Sequence, residues 1–297
     1  WSLARTYLLA SLGMVALTAS FGITWVLALE GAWFPITMGR LSAHAHLGLV
    51  GWLGLTVMGV SYQLVPMFNV VNRAKPRLGR VALIVTLSAT LLFAIVMLTD
   101  PAREVRLLTA AGLCVGPALW GADQFRLILA RSRRNLDIQG RSTFTALAFL
   151  GATLLLGMAA AWGTPFTTNE EPARWLLAYA ACGVVGWIGI TVIGNSYKIL
   201  PFLIWFHRYR ANVGLAPVPM MTDIYSERLA HTVLVLAGSA AALLAVAALA
   251  GNLSLLHLGG ALLAVTAAVH TLGLWHMLLP KTASQTKMPS ARIVGSQ

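Results

Sequence analysis

Two histidines one residue apart, His44 and His46, open the apolar run SAHAHLGLVGWLGLTVMGVSYQLVP over residues 42–66. On a helix such a pair points about 200° apart and differs by about 3 Å in height. The two rings therefore do not chelate one ion together; they serve neighbouring sites on opposite faces. An imidazole inside a bilayer is costly unless it is bonded, which makes both functional residues by default. His257 opens a later apolar run in the same way, and His270 lies deeper along it. His207, within Trp205-Phe206-His207-Arg208-Tyr209-Arg210, reads as an interfacial residue among basic and aromatic anchors. His231 and His276 also fall near the ends of apolar runs.

Other metal chemistry is poorly served. The only cysteines, Cys114 and Cys182, lie inside apolar segments without ligand spacing, so neither a disulfide framework nor a thiolate metal site is expected. No His-His dipeptide occurs. Asp123 and Lys198 lie at a depth where they could pair or relay a proton, but Lys198 can snorkel and Arg126 lies one turn from Asp123, so structural roles are expected.

The elements that position these residues follow from composition. Of 297 residues 58% are hydrophobic and 10% charged, with a mean hydropathy of +0.77. That balance does not coat a soluble globule with polar surface. Apolar runs at about 7–29, 42–66, 79–99, 106–130, 143–163, 174–206, 229–250 and 254–279 each approach the roughly 20 residues a membrane-crossing helix needs. The expected fold is all-α, a polytopic membrane protein of about eight transmembrane helices. The net charge of +12 sits in short loops and not on one basic face, so it reads as a topology signal and excludes a nucleic-acid partner. One set of loops holds Arg73, Lys75, Arg77, Arg80, Arg131, Arg133, Arg134, Arg141, Arg208, Arg210 and Arg228, and the tail adds Lys281, Lys287 and Arg292. The opposite set holds only Arg40, Arg103, Arg106 and Arg174. Both termini are expected to be cytoplasmic, in a bacterial inner membrane.

Residues 48–66, GLVGWLGLTVMGVSYQLVP, recur without a gap as residues 183–201, GVVGWIGITVIGNSYKILP. The second and sixth helices run in the same direction, so the expected architecture is two parallel four-helix repeats, 1–140 and 141–297. The repeated glycines suit close helix packing or leave room for a flat ligand. The copies differ at their starts, His44-Ala45-His46 against Tyr179-Ala180-Ala181, which assigns the chemistry to one half.

The run from His44 to Pro66 resembles a helix of the haem-copper oxidase superfamily, the terminal oxidases and nitric oxide reductases, whose His-x-His pair ligates two haems, one on each side. The resemblance implies His44 and His46 as metal ligands, one or two b-type haems, and a role in electron transfer or nitric oxide or oxygen redox handling. His257, level with His46, is the expected ligand on the other side of a porphyrin lying between the halves, beside Gly48, Gly51, Gly259 and Gly260. Arg40, Arg106 and Arg174 start helices at the same end and are expected to hold the haem carboxylates. The superfamily's copper ligands have no counterpart, so a complete oxygen-reducing centre and hence an enzymatic activity is not implied. Expected partners are membrane lipid, a cytochrome or quinol, and further membrane subunits or a second copy. A small-solute or metal-ion transporter with duplicated halves and a structural subunit of a respiratory complex are the rival readings.

Overall fold

The computed structural model describes all residues except 1, 32, 36, 72–76, 100, 133–134, 163–170 and 281–297. Arg73, Lys75, Arg133, Arg134, Lys281, Lys287 and Arg292 therefore lie outside the described residues. Among the described residues eight helices are long and apolar enough to cross a membrane. They are α1 (Leu3–Gly31), α2 (Met38–Asn69), α3 (Arg77–Met97), α4 (Arg103–Leu129), α5 (Ile138–Trp162), α6 (Ala173–Arg208), α7 (Glu227–Ala250) and α8 (Leu253–Leu278). The protein is an all-α polytopic membrane protein.

Helix ends differ from the hydropathy reading for local reasons. α2 starts four residues earlier than expected, because the Thr37 hydroxyl accepts from the Arg40 amide and caps the helix. It also continues past Pro66 to Asn69 and stops at Val70, which has φ 51° and returns its N–H to the Pro66 carbonyl. A proline removes one donor and leaves the following turn free to form. α6 likewise runs through Pro201 to Arg208. Between α7 and α8, Gly251 takes φ 63° and Asn252 caps the next helix, forming the tight hairpin expected there.

Each half repeats one packing pattern. α2 packs on α1, α3 and α4, and α6 packs on α5, α7 and α8. Glycines of α2 and α6 receive side chains of the preceding helix at a constant offset of 135 residues. Gly48 faces Thr18 as Gly183 faces Thr153; Gly51 faces Met14 as Gly186 faces Phe149; Gly59 faces Tyr7 as Gly194 faces Ser142. The duplication thus extends to α1 and α5, whose sequences hardly show it. Gly259 likewise receives Leu244 of α7. Gly48, Gly51 and Gly259 therefore close helix pairs, which corrects the expectation that they leave space for a porphyrin.

The halves meet through α4 on α5 and through α2 on α5 and α6. Both long helices also contain a π-wound segment, Leu47–Gly54 in α2 and Ala181–Gly189 in α6, at matching levels. Such segments are rare and commonly lie at functional sites.

Candidate functional site

A cavity of about 440 Å³ lies between the halves, at the end where α2, α4 and α6 begin. Its walls come from five helices: Ser42, His46 and Val50 of α2, Phe93 and Met97 of α3, Arg106, Ala110 and Cys114 of α4, Leu154, Gly157 and Ala161 of α5, and Tyr179 and Trp187 of α6. The volume falls within the range of small-molecule and cofactor sites, about 300–1,000 Å³.

His46 is the cavity's one histidine among the described residues. Its Nδ1 lies 2.8 Å from the Ser42 carbonyl oxygen and 3.3 Å from the Ser42 hydroxyl. A carbonyl only accepts, so Nδ1 carries the proton and Nε2 presents a lone pair. Nε2 accepts a hydrogen bond from the Tyr179 hydroxyl at 3.1 Å. The ring is held between Phe93, 4.7 Å between centroids, and Tyr179, 5.9 Å at 23° between planes. Arg106 reaches from the first turn of α4 to the Ala161 carbonyl, 3.5 Å away, and lines the same cavity. The indole N–H of Trp187 is buried without a partner.

Pseudosymmetry explains why one wall differs from the other. His44 lies over Gly22 of α1 as Tyr179, its counterpart, lies over Gly157 of α5. α5 is covered by α4 of the other half, so Tyr179 faces the cavity between the halves. The His44 ring instead lies tilted 5.1 Å from Trp25, which lines a smaller crevice of about 300 Å³ together with Phe21, Phe34 and Arg40. Its Nδ1 is buried without a hydrogen-bond partner. The two histidines of the pair thus face different spaces, as their helical spacing predicts. The duplicated tryptophan separates in the same way: Trp52 is 40% exposed, Trp187 only 3%.

The remaining expected site residues are not gathered here. His257 is exposed on α8, a helix that packs on α7 and α6, and it does not line the cavity with His46. Arg40 lies over the Phe34 ring at 4.8 Å and bonds the Pro35 carbonyl, beside the smaller crevice. Arg174 lies against Gly251 of the α7–α8 hairpin. Only His46 and Arg106 of the six share the cavity. Cys114, Trp187 and above all Tyr179 are cavity residues that sequence reasoning passed over, although Tyr179 stands where the repeat places His44.

Polar pairs mark the opposite end. Lys198 forms an ion pair of 2.8 Å with Asp137, joining α6 to the residue before α5, and its ammonium lies 6.0 Å from the Phe68 ring. Asp123 accepts from Tyr62 at 3.1 Å, so Asp123 and Lys198 each hold neighbouring helices together through a different partner. Tyr197, the counterpart of Tyr62, pairs with His270 at 3.3 Å. Each duplicated tyrosine is thus tied to a titratable group on the fourth helix of its own half. Beyond the spans, Tyr225 sits beside Lys198, and burial pushes its phenol above the usual pKa.

No protein-family model matches the chain, and neither a curated protein nor a solved structure shows significant similarity to it.

Proposed function

We propose that the protein binds one b-type haem in the cavity between its halves, with His46 as an axial ligand, and acts in electron transfer or in handling nitric oxide or oxygen. The observation that carries this reading is the hydrogen-bonded state of His46. Its Nδ1–H is fixed by a backbone carbonyl, and its Nε2 lone pair is turned toward the cavity, where it accepts from the Tyr179 hydroxyl. That is the tautomer a metal-ligating imidazole needs, with the ring orientation fixed by the Ser42 carbonyl. Arg106 is a cation suited to a haem carboxylate. Trp187 contributes an unused buried donor. The residues present fit the group.

A haem held there supplies one-electron iron chemistry. The chain's own residues orient the imidazole through Ser42, flank it with Phe93 and exclude water with Val50, Ala110 and Leu154. The likeness of residues 42–66 to the haem-copper oxidase helix supports the same reading. Among the described residues the cavity holds a single histidine, and His257 does not line it. Electrons would come from a cytochrome or a quinol. Purified protein assayed as its pyridine haemochrome is expected to hold about one haem b per chain; colourless protein would overturn the reading.

In this reading the cavity faces the outside of a bacterial inner membrane, with both termini cytoplasmic, as the loop charges suggest. A cysteine placed at Ser132 is expected to resist an impermeant thiol reagent added to intact cells. Rapid labelling from outside would reverse the orientation.

A further inference from the structure

We infer that Tyr179 is the second axial ligand, bound through its phenolic oxygen opposite His46; this rests on the haem reading above. The two side chains reach the cavity from different halves and already meet, with Nε2 and Oη 3.1 Å apart. First-row metal bonds to imidazole nitrogen and to oxygen are each about 2 Å, so two donors on opposite sides of one ion stand about 4 Å apart. An opening of about 1 Å between α2 and α6 side chains converts the hydrogen bond into a coordination axis.

Other donors in the cavity are less well placed. The Cys114 thiol is directed to the Leu154 carbonyl at 3.9 Å. Met97 lies one turn beyond Phe93, on α3, the helix whose phenyl ring flanks the imidazole; no polar contact links it to His46. Tyr179 alone meets the Nε2 lone pair. Its ring lies against Gly157, where an added Cβ would come within 3.0 Å of it. That contact holds the phenol in line with the cavity and leaves no room for it to turn back onto α5.

The step balances without electron transfer. On binding of ferric haem the Oη–H···Nε2 hydrogen bond breaks, and Nε2 and Oη each donate a pair to the iron. The phenol proton is released to water at the loop end of the cavity, as coordination by a protonated donor requires. An anionic oxygen ligand favours the ferric state, in contrast to the neutral imidazole pair anticipated from sequence.

Resonance Raman spectra of the ferric holoprotein test this directly, since iron-bound phenolate has vibrations that imidazole and thioether lack. Wild type is expected to show them. Tyr179→Phe is expected to lose them, to keep its haem on His46, and to lower the ferric-over-ferrous preference at least tenfold, about 59 mV. Tyr179→His, which keeps a ligand, is expected to give a low-spin bis-imidazole spectrum. Coloured wild-type protein without phenolate modes, or a Tyr179→Phe spectrum identical to wild type, would overturn the tyrosine ligand and leave the haem reading standing. Colourless wild-type protein would overturn both.

Discussion

If the haem reading holds, His46→Ala protein is expected to purify with at least a tenfold lower haem content than wild type, whereas His257→Ala and His207→Ala are expected to keep theirs. The expectation follows from position. His46 is the imidazole that lines the cavity between the halves, and its Nε2 is the lone pair directed into it. His257 and His207 are both exposed, on α8 and at the end of α6. Removing the imidazole also deletes the hydrogen bonds to Ser42 and Tyr179, at about 1–3 kcal/mol for groups left without partners. A melting curve in detergent separates that loss from the loss of haem, and His46→Gln, which keeps polar reach without a good iron ligand, serves as the control. Full haem content in folded His46→Ala protein would remove His46 from the site.

Asp137→Ala is expected to be the most damaging single change away from the cavity. It leaves Lys198, whose side chain is only 15% exposed, without the carboxylate 2.8 Å from its ammonium, toward the end of α6 away from the cavity. Breaking a buried pair from one side costs about 3–5 kcal/mol, and partial exposure at this site places the loss near 3 kcal/mol. Lys198→Met alone is expected to cost a similar amount, because it leaves the Asp137 carboxylate, 18% exposed, without its ammonium. The double variant Asp137→Ala/Lys198→Met is expected to recover much of the stability, since it buries no unpaired charge. Thermal unfolding in detergent checks all three. Additive losses in the double variant would show that the two charges are not coupled.

Hydropathy carried the number of helices and their approximate ends, because crossing a membrane demands a run of apolar residues of a given length. The ungapped copy of 48–66 in 183–201 carried the parallel halves, since glycines that receive a neighbouring helix tolerate few substitutes. Azimuth was less legible. Hydropathy does not say which face of a wholly apolar helix is covered by protein, so His257 and His46, level in the sequence reading, stand on helices that do not share a cavity. Loss of histidine in the second copy read as loss of function there, yet the tyrosine at that place meets His46 across the halves. Lys198 and Asp123 lie at one depth, and structural roles are the favoured sequence reading of both. Each found a partner elsewhere, Asp137 and Tyr62, because helix neighbours and not depth decide which polar groups meet.

The π-wound stretch of α2 sets a phase between the two polar levels of that helix. In a regular α-helix each residue turns about 100°, so His46 and Tyr62 would stand on nearly opposite sides. A π turn closes i→i+5 and advances less per residue, and Leu47–Gly54 lies between the two. The imidazole aimed at Phe93 and the phenol aimed at Asp123 keep bearings that a regular helix would not give them. The number of residues in that stretch of glycine, leucine, valine and tryptophan is therefore as much a determinant of the cavity as the histidine itself. A hydropathy profile, unchanged by the loss of one leucine, is blind to it.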